Sequence, residues 1–418
     1  MSQISYIPHN YHNLILNFYS LKLPPNEIYL LHYNIFIERR GNIIKLKIGI
    51  IDADLIGKSK HRFPNLACLK ISGYHKELGN DVTLKLDYNN LNEFDYVFIS
   101  KVFLDTIVPE DVLTLPNVKY GGTGFFYDKA EPLPYEIEHH MPDYNLYNEW
   151  VNEMMSKGRK RKEFENYLDY SIGFTSRGCF RKCPFCVNKN YNKVELHSPI
   201  SEFYDPTRKY ICLLDDNILG YPKWKDIILE LKSLNKYFQY KQGMDERIMT
   251  EEKAQLLNSC KYKGHYIFAF DNIEDKEIII EKMDLWKKYC KKTTKLYTFC
   301  GFDRNDKWDD NFWKQDIIDV FERIKILMEC DCLPYIMRFN RYEESPYRGM
   351  YINLARWCNQ PNLFTKKSFR EWCIADAELQ TSKTSASLRY MLDFEEKCPD
   401  IAKKYFDLKY DDLNKYKK

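Results

Sequence analysis

Short apolar runs alternate with amphipathic segments through the first third of the chain. Leu46–Ile51 is an apolar run with the length of a buried strand, and Asn65–Leu78 carries apolar residues at near-helical spacing. Three more apolar runs follow, Val82–Leu86, Tyr96–Ser100 and Val118–Tyr120. Strands that alternate with helices predict a parallel sheet that binds ligands at the carboxyl ends of its strands. We therefore predict an α/β domain over residues 46–150, after an extension of weak structure over residues 1–45.

The same alternation resumes six times between residues 169 and 345. The six candidate strands are Tyr170–Thr175, Tyr210–Leu214, Phe238–Lys241, Tyr266–Phe270, Leu296–Phe299 and Tyr335–Phe339. Six βα units at this spacing are typical of an open, partial (β/α)6 barrel of the TIM type, whose active site lies at the strand carboxyl ends. Residues 151–168 are highly charged and predict a solvated helical linker. Residues 346–418 predict a helical C-terminal cap.

Composition and charge narrow the classes of protein to which this chain can belong. Of the 418 residues, 44% are hydrophobic and 29% are charged, which is typical of a folded globular chain. The 63 Lys and Arg residues nearly balance the 60 Asp and Glu residues, so bulk charge does not indicate nucleic acid or an anionic membrane as a partner. The chain has no apolar run long enough for a membrane span and no cationic region before the short run Leu14–Phe18. We expect a cytoplasmic protein whose thirteen cysteines are mostly reduced.

Three cysteines fall within eight residues, in Gly173-Phe-Thr-Ser-Arg-Gly-Cys179-Phe-Arg-Lys-Cys183-Pro-Phe-Cys186. This stretch begins just after the first predicted barrel strand, where barrel active sites lie. Three thiolates on one short loop can hold three corners of an iron–sulfur cube and leave one iron without a protein ligand. Zinc is the competing metal, with His197 as the fourth ligand of a structural site in a non-catalytic binding protein. A disulfide or a chance grouping of cysteines is a further alternative.

The motif Cys-x3-Cys-x2-Cys, with Phe185 before the third cysteine, resembles that of the radical S-adenosylmethionine (SAM) superfamily. The resemblance covers about residues 169–340. It implies a [4Fe-4S] cluster on Cys179, Cys183 and Cys186, with the amino and carboxylate groups of SAM on the fourth iron. It further implies reductive cleavage of SAM to a 5′-deoxyadenosyl radical, an electron donor such as flavodoxin or ferredoxin, and a substrate that the sequence does not identify. The backbone of Phe185 matches the position that contacts adenine.

Polar or small residues follow the predicted barrel strands one after another, as a site at the strand ends requires. The resemblance assigns these residues to SAM: Asp215, Asp216 and Asn217 near its amino group, Gln242 and Asp245 near its ribose or carboxylate, Asp271 and Asn272 after the fourth strand, Gly301 near adenine, and Arg338 after the sixth strand. A helix-capping loop is the alternative interpretation of the double aspartate. No catalytic residue is assigned.

The N-terminal domain resembles the cobalamin-binding, Rossmann-like domain found in one branch of the superfamily. The segment Val118–Gly122 matches the strand and double glycine of such domains, and Met141–Tyr144 matches the linker to the barrel. The Asp-x-His-x-x-Gly motif that supplies an axial histidine to cobalt is absent, because Asp52–Gly57 contains no histidine and His61 lies beyond it. Cobalamin is therefore left open: methyl transfer is expected with it, and hydrogen abstraction followed by rearrangement or bond formation without it. In either case we expect this domain to dock against the barrel and help cover the cluster.

Overall fold

Four parallel strands form the first sheet, in the order β2-β1-β3-β4. The computed structural model describes residues 45–59, 61, 63–379 and 386–416. The strands are β1 (Lys47–Asp52), β2 (Asp81–Leu84), β3 (Tyr96–Ser100) and β4 (Val118–Gly121). All residues of β1 after Lys47 are buried, because this strand lies inside the sheet. The four predicted strands are confirmed to within two residues at each end, whereas the predicted extension lies outside the described residues apart from Lys45.

Short helices surround this sheet and continue after it. They are α1 (Ala53–Gly57), α2 (Leu66–Glu77), α3 (Glu110–Leu113), α4 (Thr123–Phe126), α5 (Tyr135–Glu138), α6 (Asn148–Ser156) and α7 (Glu165–Leu168). The predicted helix over Asn65–Leu78 is confirmed as α2. It begins where the Asn65 side chain accepts hydrogen bonds from the backbone N–H groups of Ala67 and Cys68, the usual role of an N-cap residue.

The charged segment 151–168 is packed through its apolar residues. Val151 and Phe164 are fully buried, and the Tyr167 ring lies 5.0 Å from that of Tyr147. Arg161 extends outward and forms a bidentate pair with Asp169 at 2.8 Å. The high charge therefore marks the outer face of a segment whose apolar face is buried, which a count of charges does not reveal.

Two sheets of three parallel strands follow, in the orders β5-β8-β9 and β10-β11-β12. The strands of this part of the chain are β5 (Tyr170–Gly173), β6 (Ser176–Arg177), β7 (Glu195–Leu196), β8 (Tyr210–Leu213), β9 (Tyr237–Tyr240), β10 (Tyr266–Ala269), β11 (Thr294–Cys300) and β12 (Cys332–Arg338). β6 and β7 form a separate antiparallel pair. Isolated backbone bridges join Phe238 to Tyr262 and Met244 to Phe268, and so connect the neighbourhoods of β9 and β10.

Helices separate the later strands, which confirms the predicted α/β alternation. They are α8 (Trp224–Ser233), α9 (Glu251–Asn258), α10 (Lys276–Tyr289) and α11 (Asp310–Glu329). Their apolar sides share one core with the strands, in which Leu231, Leu257 and Leu296 are fully buried. The indole N–H of Trp286 donates to Thr294 Oγ1 at 2.9 Å and so ties α10 to β11 inside this core.

Helices predominate among the described residues after β12, as predicted. The helices are α12 (Arg348–Cys358), α13 (Pro361–Phe364), α14 (Phe369–Glu378), α15 (Ala386–Lys397), α16 (Pro399–Tyr405) and α17 (Tyr410–Leu413). They pack on α11 through an aromatic core that includes Phe321, Trp357 and Phe369. Residues 47–418 form one compact unit. In the described part of the chain, no helix has both the length and the apolar character that crossing a membrane requires.

Candidate functional site

The three clustered cysteines lie on a loop between β6 and β7. The antiparallel pairing of Ser176 with Leu196 and of Arg177 with Glu195 closes the base of this loop. At its start, Gly178 has a φ of +90°, and a Cβ on this residue would lie 2.5 Å from the Lys193 carbonyl oxygen. Glycine is therefore required here both for the backbone conformation and for the close approach.

The thiols of Cys179, Cys183 and Cys186 are free and half-buried. Cys179 Sγ accepts hydrogen bonds from the Arg181 N–H at 3.3 Å and from the Asn217 side chain at 3.4 Å. Cys186 Sγ accepts one from a backbone N–H at 3.4 Å. Burial raises the pKa of the Cys183 thiol, and the nearby Asp271 and Cys186 add to the rise. Free thiols that receive N–H donors on one loop fit the ligands of an iron–sulfur cluster.

His197, the fourth ligand of the alternative zinc site, is held elsewhere. Its Nε2 lies 3.3 Å from a carboxylate oxygen of Glu138, and its Nδ1 lies 3.0 Å from Ser198 Oγ. Among the described residues, no three His, Cys, Asp or Glu side chains converge as the ligands of a single metal ion. The thiolates of a cube bind separate iron atoms, so they need not converge on one point. The described residues thus give the zinc alternative no support.

Asp215 connects the carboxyl end of β8 to the segment that leads into the cysteine loop. Its buried carboxylate accepts hydrogen bonds from the backbone N–H groups of Thr175 and Ser176 at 3.1 and 2.6 Å. The hydroxyls of the same two residues donate to it at 2.5 and 2.7 Å. Burial raises the pKa of Asp215, and these four hydrogen bonds oppose the rise. Asp215 therefore braces the loop rather than facing an open cavity.

Asp216 and Asn217 hold the cysteine loop at both ends. Asp216 accepts hydrogen bonds from the Gly178 N–H at 2.7 Å and from the Asn188 side chain at 2.6 Å. These partners precede Cys179 and follow Cys186. Asn217 donates to Cys179 Sγ, and its buried Oδ1 has no hydrogen-bond partner among the described residues. We name Asp215, Asp216 and Asn217 the loop staple.

An ion-pair chain connects the cysteine loop to the segment after β9. Arg181 Nε lies 2.8 Å from Asp245, which also accepts from Arg247 Nε at 2.7 Å. Arg247 in turn contacts Asp275 at 2.8 Å. Asp245 is thereby engaged by two guanidinium groups, whereas its predicted neighbour Gln242 is exposed.

A cavity of about 180 Å³ lies beside the cysteine loop at the carboxyl ends of β10 and β11. Its lining includes Phe185, Asp271, Asn272, Phe302, Asp316 and Arg323. The Phe185 ring packs 4.4 Å from that of Phe299 and so joins the loop to β11. Asp271 accepts from the Phe299 N–H at 3.0 Å, and Asn272 accepts from Arg304. Three of the predicted residues, Phe185, Asp271 and Asn272, are thus brought together.

Gly301 and Arg338 occupy the ends of the adjacent strands β11 and β12. Gly301 has a φ of +77°, and a Cβ built on it would lie 3.4 Å from Tyr342 Cβ. Its N–H donates to Asp316 at 2.8 Å, which turns the chain around the cavity. Arg338 is exposed, with its guanidinium 4.3 Å from the centre of the Tyr342 ring.

Arg323 is a buried residue of this site that the sequence interpretation missed. Its Nη1 donates to the carbonyl oxygens of Phe270, Asp271 and Phe299 at 2.9–3.0 Å. It therefore holds the carboxyl ends of β10 and β11 together. A signal was present, because Arg323 lies one helical turn from the buried Val320 and Leu327 on the apolar face of a long helix.

The segment after β4 contacts the cysteine loop directly, which is how the N-terminal sheet reaches the site. Tyr127 Oη donates to the Phe185 carbonyl oxygen at 2.7 Å, and Asn190 donates to the Asp128 carbonyl oxygen at 3.1 Å. Lys189 lies 3.4 Å from the Asp128 carboxylate. Tyr127 has a φ of +50°, a conformation that a non-glycine residue keeps only where its surroundings hold it. The sequence gives no local signal for this tyrosine.

The carboxyl edge of the first sheet carries a buried acid. Asp52 ends β1 and accepts hydrogen bonds from Tyr147 Oη at 2.9 Å and from the Leu55 N–H at 3.2 Å. His61 Nε2 lies 4.0 Å from the same carboxylate. Burial raises the pKa of Asp52 to about 7.

This pKa predicts a pH dependence of stability. An acid whose pKa is higher in the folded state stabilises the fold below its unfolded pKa, and this contribution is lost as the pH rises through the folded pKa. Between pH 5 and pH 8 we expect Asp52 to reduce the free energy of unfolding by about 3 kcal/mol, since one pKa unit corresponds to about 1.4 kcal/mol. Asp52→Asn mimics the neutral form of the Asp52 carboxyl group and should remove this part of the pH dependence of the free energy of unfolding. Urea unfolding of both proteins at pH 5 and at pH 8 tests this prediction. An equal change in the free energy of unfolding between the two pH values would contradict it.

Comparisons with known proteins give matches among solved structures only. No protein-family model matches the chain, and no curated protein sequence matches it. The chain is similar to the radical S-adenosylmethionine methyltransferase TsrM from Kitasatospora setae with cobalamin and [4Fe-4S] cluster bound, at 10% identity and a TM-score of 0.45, over 71% of this chain and 75% of TsrM. It is also similar to the cobalamin-dependent S-adenosylmethionine radical enzyme OxsB, at 12% identity and a TM-score of 0.43, over 85% of this chain and 62% of OxsB.

Both solved structures are of radical SAM enzymes with cobalamin bound. The chain spans less than two thirds of the OxsB chain. At TM-scores below 0.5 and identities of 10–12%, the similarity by itself establishes neither activity nor substrate.

Proposed function

We propose that this chain is a radical SAM enzyme. The observation that carries the proposal is the three-cysteine loop, held at both ends by the loop staple and placed beside a cavity at neighbouring strand ends. A structural metal site needs its ligands but not an adjoining cavity. The proposed reaction, in contrast, needs SAM beside the cluster, and the cavity provides room for part of the SAM molecule.

The proposed architecture has the domains expected from the sequence. Residues 46–150 form a Rossmann-like domain, and residues 151–168 connect it to a partial (β/α)6 barrel over residues 169–345. Residues 346–418 form a helical cap. The backbone bridges between the neighbourhoods of β9 and β10 support the joining of the two three-stranded sheets into one barrel wall. The aligned carboxyl ends of the strands then form the floor of the site.

Each group of the chain has a role in this proposal. Cys179, Cys183 and Cys186 bind a [4Fe-4S] cluster, which when bound supplies the electron that cleaves SAM to a 5′-deoxyadenosyl radical. The loop staple keeps the three sulfur atoms in place. The unpartnered Asn217 Oδ1 is an acceptor for the amino group of SAM, because a buried amide oxygen is costly without a donor. Phe185 covers the side of the proposed site that binds the adenine of SAM.

The segment around Tyr127 shields the cysteine loop. Its contacts with Phe185 and Asn190 support a position of the N-terminal domain over one side of the proposed site. A reactive radical needs such cover, since water and stray hydrogen donors would quench it. Electrons would come from a small redox protein such as flavodoxin or ferredoxin.

Reductive cleavage of SAM tests the proposed function. The chain, purified and reconstituted with iron and sulfide without oxygen, should form 5′-deoxyadenosine and methionine from SAM when dithionite is added. Omission of dithionite should stop the reaction. A fully reconstituted protein that binds SAM and forms no product with dithionite or reduced flavodoxin would contradict the proposal.

Gly301→Leu should weaken SAM binding at least tenfold and leave the iron content unchanged. The leucine side chain would extend from a backbone in the left-handed region toward Tyr342 and into the space proposed for adenine. Equilibrium dialysis with labelled SAM measures the binding, and iron analysis of the same sample is the control. Unchanged SAM affinity would argue against adenine at this position.

A second, narrower candidate is methyl transfer with cobalamin bound at the first sheet. The loop after β3 exposes Val102, Phe103, Leu104 and Ile107 at the carboxyl edge of the sheet, and Ile107 is 84% exposed. A ligand with a large apolar face would cover these side chains. Gly121 leaves room for a close approach, because a Cβ on it would meet no atom within 4 Å.

Anaerobic incubation with hydroxocobalamin, followed by gel filtration, tests cobalamin binding. The methyl-transfer version predicts that corrin absorbance co-elutes with the protein at about one corrin per chain. Phe103→Asp should abolish the co-elution, whereas Leu392→Asp on the exposed face of α15 should not. If the wild-type protein retains no corrin at micromolar concentration while SAM cleavage continues, cobalamin has no part in the mechanism.

A further inference from the structure

The cavity beside the cysteine loop has aromatic walls. The Phe185 ring centre lies 4.4 Å from that of Phe299 and 5.8 Å from that of Phe302, and these three rings line the cavity together with Phe312. The cavity volume of about 180 Å³ is below the range of about 300–1,000 Å³ that is typical of pockets for whole drug-sized ligands. The size and the walls therefore suit one flat ring system.

Arg323 supplies a fixed hydrogen-bond donor to this cavity. Its Nη1 donates to three carbonyl oxygens at 2.9–3.0 Å, and its Nε donates to the Asp319 carbonyl oxygen at 3.2 Å. Its Nη2 has no acceptor among the described residues, although Arg323 is only 2% exposed. This atom is not one of the polar atoms sealed within the core, so its N–H groups open onto the cavity that Arg323 lines.

Asp271 supplies an acceptor next to this donor. Its Oδ1 accepts from the Phe299 N–H at 3.0 Å, and its backbone carbonyl oxygen accepts from Arg323 Nη1 at 2.9 Å. Within the described ranges, its Oδ2 receives no hydrogen bond, and it too is open to the cavity. Burial raises the pKa of Asp271, and the Phe299 N–H and the charge of Arg323 oppose the rise. We name Arg323 Nη2 and Asp271 Oδ2 the donor–acceptor pair.

The charges that line the cavity favour a neutral ligand. An ammonium group would meet the positive charge of Arg323, and a carboxylate or phosphate would meet the negative charge of Asp271. Two further carboxylates are already engaged, since Asp303 accepts from three backbone N–H groups at 2.9–3.2 Å and Asp316 accepts from the Gly301 N–H at 2.8 Å. A neutral heterocycle with a donor and an acceptor side by side meets neither repulsion.

Adenine has the edge that matches the donor–acceptor pair. Its exocyclic N6 amino group is a donor, and the neighbouring ring nitrogen N7 is an acceptor. A carboxylate oxygen can accept from N6 while a guanidinium N–H donates to N7. Hypoxanthine carries an oxygen in place of the N6 amino group, so it would turn an acceptor toward the Asp271 carboxylate. The donor–acceptor pair can therefore distinguish adenine from hypoxanthine.

We propose that Asp271 and Arg323 select the adenine base of SAM, with Asp271 Oδ2 accepting from N6 and Arg323 Nη2 donating to N7. The identity of the bound molecule as SAM rests on the proposed radical SAM function, whereas the preference of the cavity for adenine over hypoxanthine does not. These two side chains thus determine specificity, and the cysteine loop holds the cluster.

Isothermal titration of the reconstituted full chain without oxygen, with S-adenosylhomocysteine and with S-inosylhomocysteine, tests the base preference. We expect about one adenosyl ligand per chain, bound at least tenfold more tightly than the inosyl compound. The reason is that a site with buried polar groups rejects a ligand that leaves those groups unpaired. Equal affinity for the two compounds, or no binding of the adenosyl compound, would overturn the proposal.

Asp271→Asn tests the acceptor. Asparagine keeps an oxygen for the Phe299 N–H and can present its amide N–H groups to the cavity. This variant should bind the adenosyl compound at least tenfold more weakly than the wild type and the inosyl compound at least as tightly. Glu274→Gln removes one charge at an exposed position of the same cavity, and as the matched control it should leave the base preference unchanged. An unchanged base preference in Asp271→Asn would overturn the proposal.

The 7-deaza analogue of S-adenosylhomocysteine tests the Arg323 donor without a change to the protein. It has a C–H group in place of N7, so it should bind to the wild type at least tenfold more weakly than the parent compound. Equal affinity would overturn the role of Arg323. Failure of SAM cleavage with the base preference intact would count against the proposed function alone, and SAM cleavage without any base preference would overturn this inference alone.

Discussion

Replacement of any one of Cys179, Cys183 and Cys186 with alanine is expected to abolish the cluster and all reductive cleavage of SAM. The reason is that in the proposed site each cysteine would supply one of three protein ligands, so no substitute would be available when one is lost. The measurement is visible absorbance of the reconstituted protein together with 5′-deoxyadenosine formation. We expect product to fall to the level of the reaction without protein.

Cys260→Ala is the matched control for these variants. Cys260 is also half-buried, but its thiol donates to the Leu256 carbonyl oxygen at 3.2 Å and lies outside the cysteine loop. This variant should retain iron, absorbance and activity. A single variant of the cysteine loop that keeps a full [4Fe-4S] spectrum and cleaves SAM would show that the ligand assignment is wrong.

Asp215→Ala is expected to have the largest effect on stability. It leaves the buried N–H groups of Thr175 and Ser176 without an acceptor, and each such group costs about 1–3 kcal/mol. The free energy of unfolding in urea should therefore fall by about 2–6 kcal/mol. Because the same segment leads into the cysteine loop, iron retention should fall as well.

Asp215→Asn keeps one carboxamide oxygen as an acceptor and should have an intermediate effect, which remains measurable if the alanine variant does not fold. Glu230→Ala, at an exposed position of α8, is the control and should change neither stability nor iron content. If Asp215→Ala were as stable as this control, the bracing role of the aspartate would be refuted.

The strands and the cysteine loop could be predicted from the sequence because their signals are local. A buried parallel strand such as β1 is a continuous apolar run, and the cysteine spacing is contained within one loop. The shift of strand ends by one to three residues reflects pairing with neighbours, which the run itself does not contain.

The roles of Asp215 and Asp216 could be predicted only in part. Their position at the end of β8 indicated a site, but their partners, such as Thr175, lie 40 residues away. Those contacts depend on the pairing of β8 with β5, so the sequence alone could not distinguish a ligand-binding carboxylate from a bracing one. For the same reason the sequence does not reveal the role of Tyr127, because its contact partner Phe185 lies 58 residues away along the chain.

The metal content of the protein tests the central claim most directly. The chain should be purified without oxygen, and iron, acid-labile sulfide and zinc should be counted per chain. The proposed radical SAM site predicts about four iron and four sulfide, as a [4Fe-4S] cube requires. About one zinc per chain, with no sulfide before or after reconstitution, would contradict it and point instead to a structural zinc site.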